Sequence, residues 1–161
     1  MTEESGLVWG IKESFITYLL NLGDSQYFDD DGAVFVEPNL FRFGLKEVAR
    51  WDRKTGHGVI EFRGTIVLSA HGGLLYVRIT DPWVEFGEHG VALSVLETES
   101  SRRIPLVTAD TSSFITRDGC RQWIGLPTQL CEEGVMLFNG QYPSGTSMSP
   151  ITITLNEADI P

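Results

Sequence analysis

The chain has 161 residues, 42% of them hydrophobic, with nine Phe, four Trp and four Tyr. That length fits one domain spanning residues 1–161, with enough apolar residues to bury a core without disulfide or metal staples. Lys plus Arg total 12 against 22 for Asp plus Glu, a net charge of −10. This excludes nucleic acid or an anionic membrane as the main partner, because phosphate binding needs a positive surface.

The first element predicted is a helix over Leu7 to Leu22. Leu7, Val8, Ile11, Phe15, Tyr18, Leu19 and Leu22 recur at the three-and-four spacing of one helical face. Ser5 is the expected N-cap, and Gly23 stands just past the end, where a left-handed residue closes many helices. Lys12 and Glu13 fall on the opposite side, which is expected to be solvated. Asp29-Asp30-Asp31 reads as an exposed loop and lacks the ligand spacing of an EF-hand.

The period then changes to two. From Val59 to Ser69, Ile60, Phe62, Ile66 and Leu68 share one face, with Glu61, Arg63, Thr65 and Ser69 on the other. Leu75, Val77 and Ile79 alternate with Tyr76, Arg78 and Thr80. Val91, Leu93 and Val95 alternate with Ala92, Ser94 and Leu96, and Ile151, Ile153 and Leu155 with Thr152 and Thr154. Such alternation marks half-buried strands. Turn signals fall at Asp31-Gly32, His71-Gly72-Gly73, Asp81-Pro82, Gly87 to Gly90, Asp118-Gly119 and Pro143 to Gly145. The fold expected is mainly β, an antiparallel sandwich or closed barrel on which an N-terminal helix packs. Short helical turns are predicted in Pro105–Ser113 and Gly125–Glu133.

The residues that can carry chemistry are few. Ser14 and Tyr18 lie four apart and therefore on one helix face. Tyr18 also belongs to the apolar stripe, so its ring is expected inside, where a phenol needs a hydrogen-bond partner or another use for its oxygen. His71 stands at a hairpin turn beside two glycines that permit a sharp bend or a close approach. It reads either as an exposed turn histidine or as a functional one. His57 and His89 are glycine-flanked and read as solvated loop residues, at no paired-ligand spacing. Tyr142 lies in a turn-rich stretch before the last strand and either covers the core or lines a pocket. Cys120 and Cys131 have no histidine at metal spacing. They either pair or remain free, and two thiols do not make a disulfide framework.

No Gly-x-Ser-x-Gly elbow, Walker loop, Gly-x-Gly-x-x-Gly or His-Glu-x-x-His motif is present, so no residue is nominated as catalytic. No basic segment followed by an apolar one opens the chain, and no apolar run approaches the roughly 18 residues that cross a bilayer. The expectation is a cytoplasmic chain or an excised extracytoplasmic domain, with no membrane insertion of its own.

Three blocks resemble a known family. Trp9-Gly10-Ile11-Lys12-Glu13-Ser14-Phe15-Ile16-Thr17-Tyr18 is similar to the "W-G-[VI]-K-x-S-F-x-x-Y" helix of the HtaA domain, found in haem-uptake proteins of corynebacteria and other actinobacteria. Gly64 to Leu75, followed by Ile79 to Glu85, resembles its strand, histidine–glycine turn and following "I-x-x-P-x-V-E" strand, with Ala70 where a glycine is expected. Phe138 to Thr146 with Ser149-Pro150 is similar to its closing "Y-x-x-G-T-x-x-[DS]-P" segment. The resemblance implies a mostly β fold that holds one haem (haem b, as hemin) in a groove, for haem uptake, transfer or storage. It implies Tyr18 as ligand to the ferric iron, His71 beside it, Ser14 on a propionate and Tyr142 near the macrocycle. The implied partners are haem or another small flat ligand, and other haem-transfer proteins. The alternative is an intracellular enzyme that uses the same pocket for a different small molecule.

Overall fold

Two corners, at Gly64 and Asp81, set the architecture. The computed structural model describes residues 3–110 and 113–161. In chain order these form β1 (Gly6–Trp9), α1 (Glu13–Leu20), β2 (Gln26–Asp30), β3 (Ala33–Val36), β4 (Leu40–Asp52), β5 (His57–Arg63) and β6 (Thr65–Ala70). There follow β7 (Leu75–Thr80), β8 (Trp83–Gly87), β9 (Gly90–Glu97), β10 (Arg102–Ala109), β11 (Ile115–Arg117), β12 (Cys120–Leu130) and β13 (Ser147–Asn156). Short 3-10 turns occupy His71–Gly73, Glu132–Phe138 and Glu157–Asp159.

The fold is mainly β, as expected, and the sheet closes. Strands β1, β13, β12, β10, β9, β8, β5 and β4 pair in that order, and β4 pairs back onto β1, giving an antiparallel barrel of eight strands. Closure removes the unpaired edges that an open sheet of this size would expose. Strand β3 continues beside β4, β11 pairs with β12, and β2, β6 and β7 make a separate small sheet. The core is continuous from Leu7, Trp9, Phe41 and Phe43 through Ile60, Leu93 and Ile153, all essentially inaccessible.

The alternation read from Val59 to Ser69 as one stretch is cut by Gly64. Its φ of +128° is open to glycine, and an added Cβ would stand 2.4 Å from the Ala33 nitrogen. There the chain leaves the barrel for the small sheet, and at Asp81 it returns. The two corners are tied together. The Gly64 N–H donates to Asp81 Oδ1 at 2.9 Å, and the Asp81 N–H donates to the Gly64 carbonyl at 2.8 Å. Arg103 also donates to the Asp81 carbonyl at 2.7 Å. The β6–β7 hairpin thus projects from a fixed base, with His71 at its tip.

The predicted N-terminal helix is shorter than expected. Gly6–Trp9 is a strand between β13 and β4, and only Glu13–Leu20 is helical. Leu7 and Ile11, read as part of the helical stripe, are instead buried with Trp9 in the closed barrel. Ile11 takes φ +61° and Lys12 is extended, so the chain turns out of the strand before the helix begins. Ser5 caps no helix: its hydroxyl donates to Asp159 and accepts from the Asn156 N–H. The helix ends at Asn21 rather than through Gly23.

Other expectations fail for related reasons. Pro105 to Ala109 lies in β10 and Gly125 to Leu130 in β12, each with a register shift that accommodates Pro105 or the left-handed Gly125. Of the first stretch, residues 111–112 lie outside the described residues. Part of the second expectation holds one step later, where Glu132–Phe138 forms a 3-10 turn. Asp29 and Asp30 belong to β2, and Asp29 accepts the Phe35 N–H. Cys120 is buried and Cys131 half-buried, and both are free thiols.

Candidate functional site

Helix α1 and the tip of the β6–β7 hairpin converge on one side of the molecule. An eight-residue helix has little stability of its own in water. This one is fixed by burial of Phe15, Ile16 and Leu19, each worth about 1.5–3 kcal/mol when fully removed from water. Its entry is fixed by Trp9, whose indole N–H donates to the Ser149 carbonyl at 2.8 Å, and by the Ser149 N–H, which donates to the Ile11 carbonyl at 2.9 Å.

Because the helix starts at Glu13, its buried stripe passes through residues 15, 16 and 19 and leaves Tyr18 on the flank. The Tyr18 ring, expected inside, is 46% exposed. Its hydroxyl meets His71 Nε2 at 2.8 Å. Ser14, one turn earlier on the same face, is exposed.

The hairpin tip is held in an uncommon conformation. His71, Gly72 and Gly73 all have positive φ, at 56°, 67° and 94°. For histidine this backbone costs on the order of 1–2 kcal/mol, and such outliers persist where surrounding contacts impose them. The contact here comes from the loop after α1, where Asp24 Oδ2 accepts the His71 N–H at 3.0 Å. Helix and hairpin are therefore joined twice, by Tyr18 to the imidazole and by Asp24 to the backbone. Sequence reasoning missed Asp24, whose exposed carboxylate follows a glycine and gives no spacing signal.

Leu74, three residues after His71, is 87% exposed beside this pair. Tyr142 packs by its ring edge against Phe15 and Phe138, with centroids 6.2 and 6.0 Å apart, and burial pushes its phenol above the ordinary tyrosine value. Lys12, expected on a solvated face, is half-buried, with Nζ 5.4 Å from the centre of the Tyr142 ring. Its backbone precedes the helix, so helical periodicity does not govern where its side chain goes.

Ser14, Tyr18, His71 and Tyr142 thus fall on two adjoining elements and the segment packed against them, and Tyr18 and His71 are in direct contact. His57 and His89 are apart from them. His57 opens β5, half-buried rather than solvated, and lines a cleft of about 510 Å³ with Trp51, Phe86 and Trp123. His89 is exposed in the β8–β9 turn. A second cleft, about 690 Å³, is lined by Tyr76, Arg78, Arg103 and Met136 among others, and by none of Ser14, Tyr18, His71 and Tyr142. Among the described residues no group of three or more His, Cys, Asp and Glu could hold a metal ion, and no helix is long and apolar enough to cross a membrane.

Fold and site together define a class: a closed antiparallel barrel with a small flanking sheet, carrying an exposed phenol–imidazole pair. The chain belongs to the HtaA family, whose model matches residues 4–154. It is similar in structure to the C-terminal domain of HtaA from Corynebacterium glutamicum, with a TM-score of 0.75 and 21% identity over 93% of this chain and 94% of that one. The N-terminal domain of the same protein gives 0.75 and 20%, over 96% and 99%. The haem-binding protein HtaB from Corynebacterium glutamicum gives 0.63 and 16%, over 94% and 91%. No curated protein matches the sequence.

Proposed function

We propose that this chain is a single haem-binding domain, with Tyr18 as the ligand to ferric iron and a role in haem uptake, transfer or storage. The observation that carries the proposal is Tyr18, an exposed residue whose hydroxyl is hydrogen-bonded to His71 Nε2 at 2.8 Å. Family membership and the haem-binding relative HtaB support the choice of ligand.

The donor set fits the group. Ferric iron is a hard cation, and tyrosine oxygen is among its known protein ligands in haem proteins. Ligation requires loss of the phenolic proton, whose unperturbed pKa is about 10. An imidazole N–H aimed at the oxygen stabilises the anion and orients it, as partners of metal ligands generally do. His71 Nε2 fills that role when its proton is on Nε2. The Ser14 hydroxyl, one helical turn from Tyr18, is free to donate to a carboxylate of the macrocycle. Tyr142, packed on Phe15, and the exposed Leu74 beside His71 supply apolar surface that the ligand would cover. Bound haem supplies the iron and the flat apolar surface, and the protein supplies ligand, hydrogen bonds and shelter.

The test is a hemin titration followed by absorbance. Wild-type protein is expected to give a saturable Soret band with the weak charge-transfer band of a tyrosinate complex, at one equivalent. Tyr18→Ala is expected to abolish or strongly shift both. An unchanged spectrum in Tyr18→Ala removes Tyr18 from the role, and a wild-type titration whose spectrum stays that of free hemin rejects haem as the ligand.

A further inference from the structure

We infer that Lys12 is a ligand-binding residue, which holds a carboxylate of the bound molecule and makes the site selective for an anionic macrocycle over its neutral ester. The inference rests on the haem reading above and adds to it the charge that the ligand must carry. In a chain with 22 acidic and 12 basic residues, a free ammonium beside the candidate site is an uncommon resource. Lys12 Nζ is held by two uncharged partners, the face of Tyr142 at 5.4 Å and the Ser147 carbonyl at 3.3 Å. Among the described residues no carboxylate lies within ion-pair distance of it, although Glu13 is its neighbour in sequence.

Those contacts point the side chain toward the site. A solvated lysine has no reason to lie over a ring, and a cation–π contact at a partly exposed place contributes only about 0.5–1 kcal/mol. The contact parks the ammonium without neutralising it. Tyr142 in turn packs on Phe15, which lies between Ser14 and Tyr18 in the chain. The start of α1 and the segment packed on it therefore offer a Ser14 hydroxyl, a Lys12 ammonium set over the Tyr142 ring, and the Tyr142 phenol. All three can donate, one with full positive charge. That combination recognises a carboxylate, because charge-assisted hydrogen bonds exceed neutral ones. The "W-G-[VI]-K" block thus gains a role for its lysine that helical periodicity, applied to the wrong element boundary, assigned to solvent.

The experiment compares hemin with hemin dimethyl ester, each titrated into wild-type, Lys12→Gln and Lys12→Arg protein at low and high salt. Lys12→Gln is expected to weaken hemin binding about fivefold, the scale of one partly exposed ion pair, and to change ester binding by less than about twofold. Lys12→Arg should restore most of the hemin affinity. Added salt should weaken hemin binding to the wild type more than to Lys12→Gln, since screening acts on the charge pair. Equal weakening of hemin and ester would show that Lys12 merely supports Tyr142, and an unchanged hemin affinity would remove Lys12 from the site. Either result overturns this inference while leaving Tyr18 ligation standing. Wild-type protein that binds neither porphyrin overturns both.

Discussion

His71→Gly separates the hydrogen bond of the imidazole from the turn that carries it. His71 sits at φ +56° between α1 and the hairpin. A glycine there relieves left-handed strain of about 1–2 kcal/mol but adds about 0.4–1 kcal/mol of unfolded-state entropy. With the loss of the neutral Tyr18–His71 bond, about 0.5–1.5 kcal/mol, these terms nearly cancel, so thermal stability should stay within about 3 °C of wild type. What is lost is a 2.8 Å bond to the Tyr18 oxygen. A hydrogen bond to a charged group contributes about 1.5–3 kcal/mol, and exposure of both residues puts this one near the lower figure. About 1.4 kcal/mol is a factor of ten, so hemin should leave His71→Gly roughly ten times faster. The assay is transfer of hemin from preloaded protein to excess apomyoglobin, followed at the Soret band. A wild-type dissociation rate in a fully folded His71→Gly protein would refute the claim that the imidazole stabilises the ligand oxygen.

Three further outcomes follow from the geometry. Asp24→Ala should remove about 1 kcal/mol of support from the hairpin tip, seen as faster hydrogen exchange at the His71 amide, whereas Asp24→Asn, which keeps an acceptor, should preserve protection. Gly64→Ala places a Cβ 2.4 Å from the Ala33 nitrogen at φ +128° and should cost at least about 3 kcal/mol, a fall of roughly 6–12 °C in melting temperature. The Tyr142 phenol titrates above its ordinary value in the fold because burial disfavours its anion. Its contribution to stability is therefore complete below the unfolded value of about 10 and is lost as pH rises through the folded one. Denaturant melts between about pH 9 and about pH 11.5 should fall more steeply for wild type than for Tyr142→Phe.

The strands were legible because one face of each meets the core and the other is more open to water, which imposes a period of two. Leu75 to Thr80, Val91 to Leu96 and Ile151 to Leu155 read correctly for that reason. Where both faces are covered, or a bulge shifts the register, the signal disappears. Gly6–Trp9 is enclosed by β4 and β13, and its apolar residues join those of α1 into a false helical stripe. Pro105 and Gly125 suggested turns, yet both sit in strands that use them at irregularities. In the site, the Tyr18–His71 contact joins residues 53 positions apart, and no local period encodes it. Family resemblance paired them, whereas Asp24 and the direction of Lys12 required coordinates.

The central claim is that the iron is bound through the Tyr18 oxygen. Resonance Raman spectroscopy of the ferric haem complex, with and without ring-deuterated tyrosine, reads that bond directly. Wild-type protein should show isotope-sensitive phenolate modes that disappear in Tyr18→Phe. Phenolate modes that persist in Tyr18→Phe, or a wild-type complex that shows none, would contradict it.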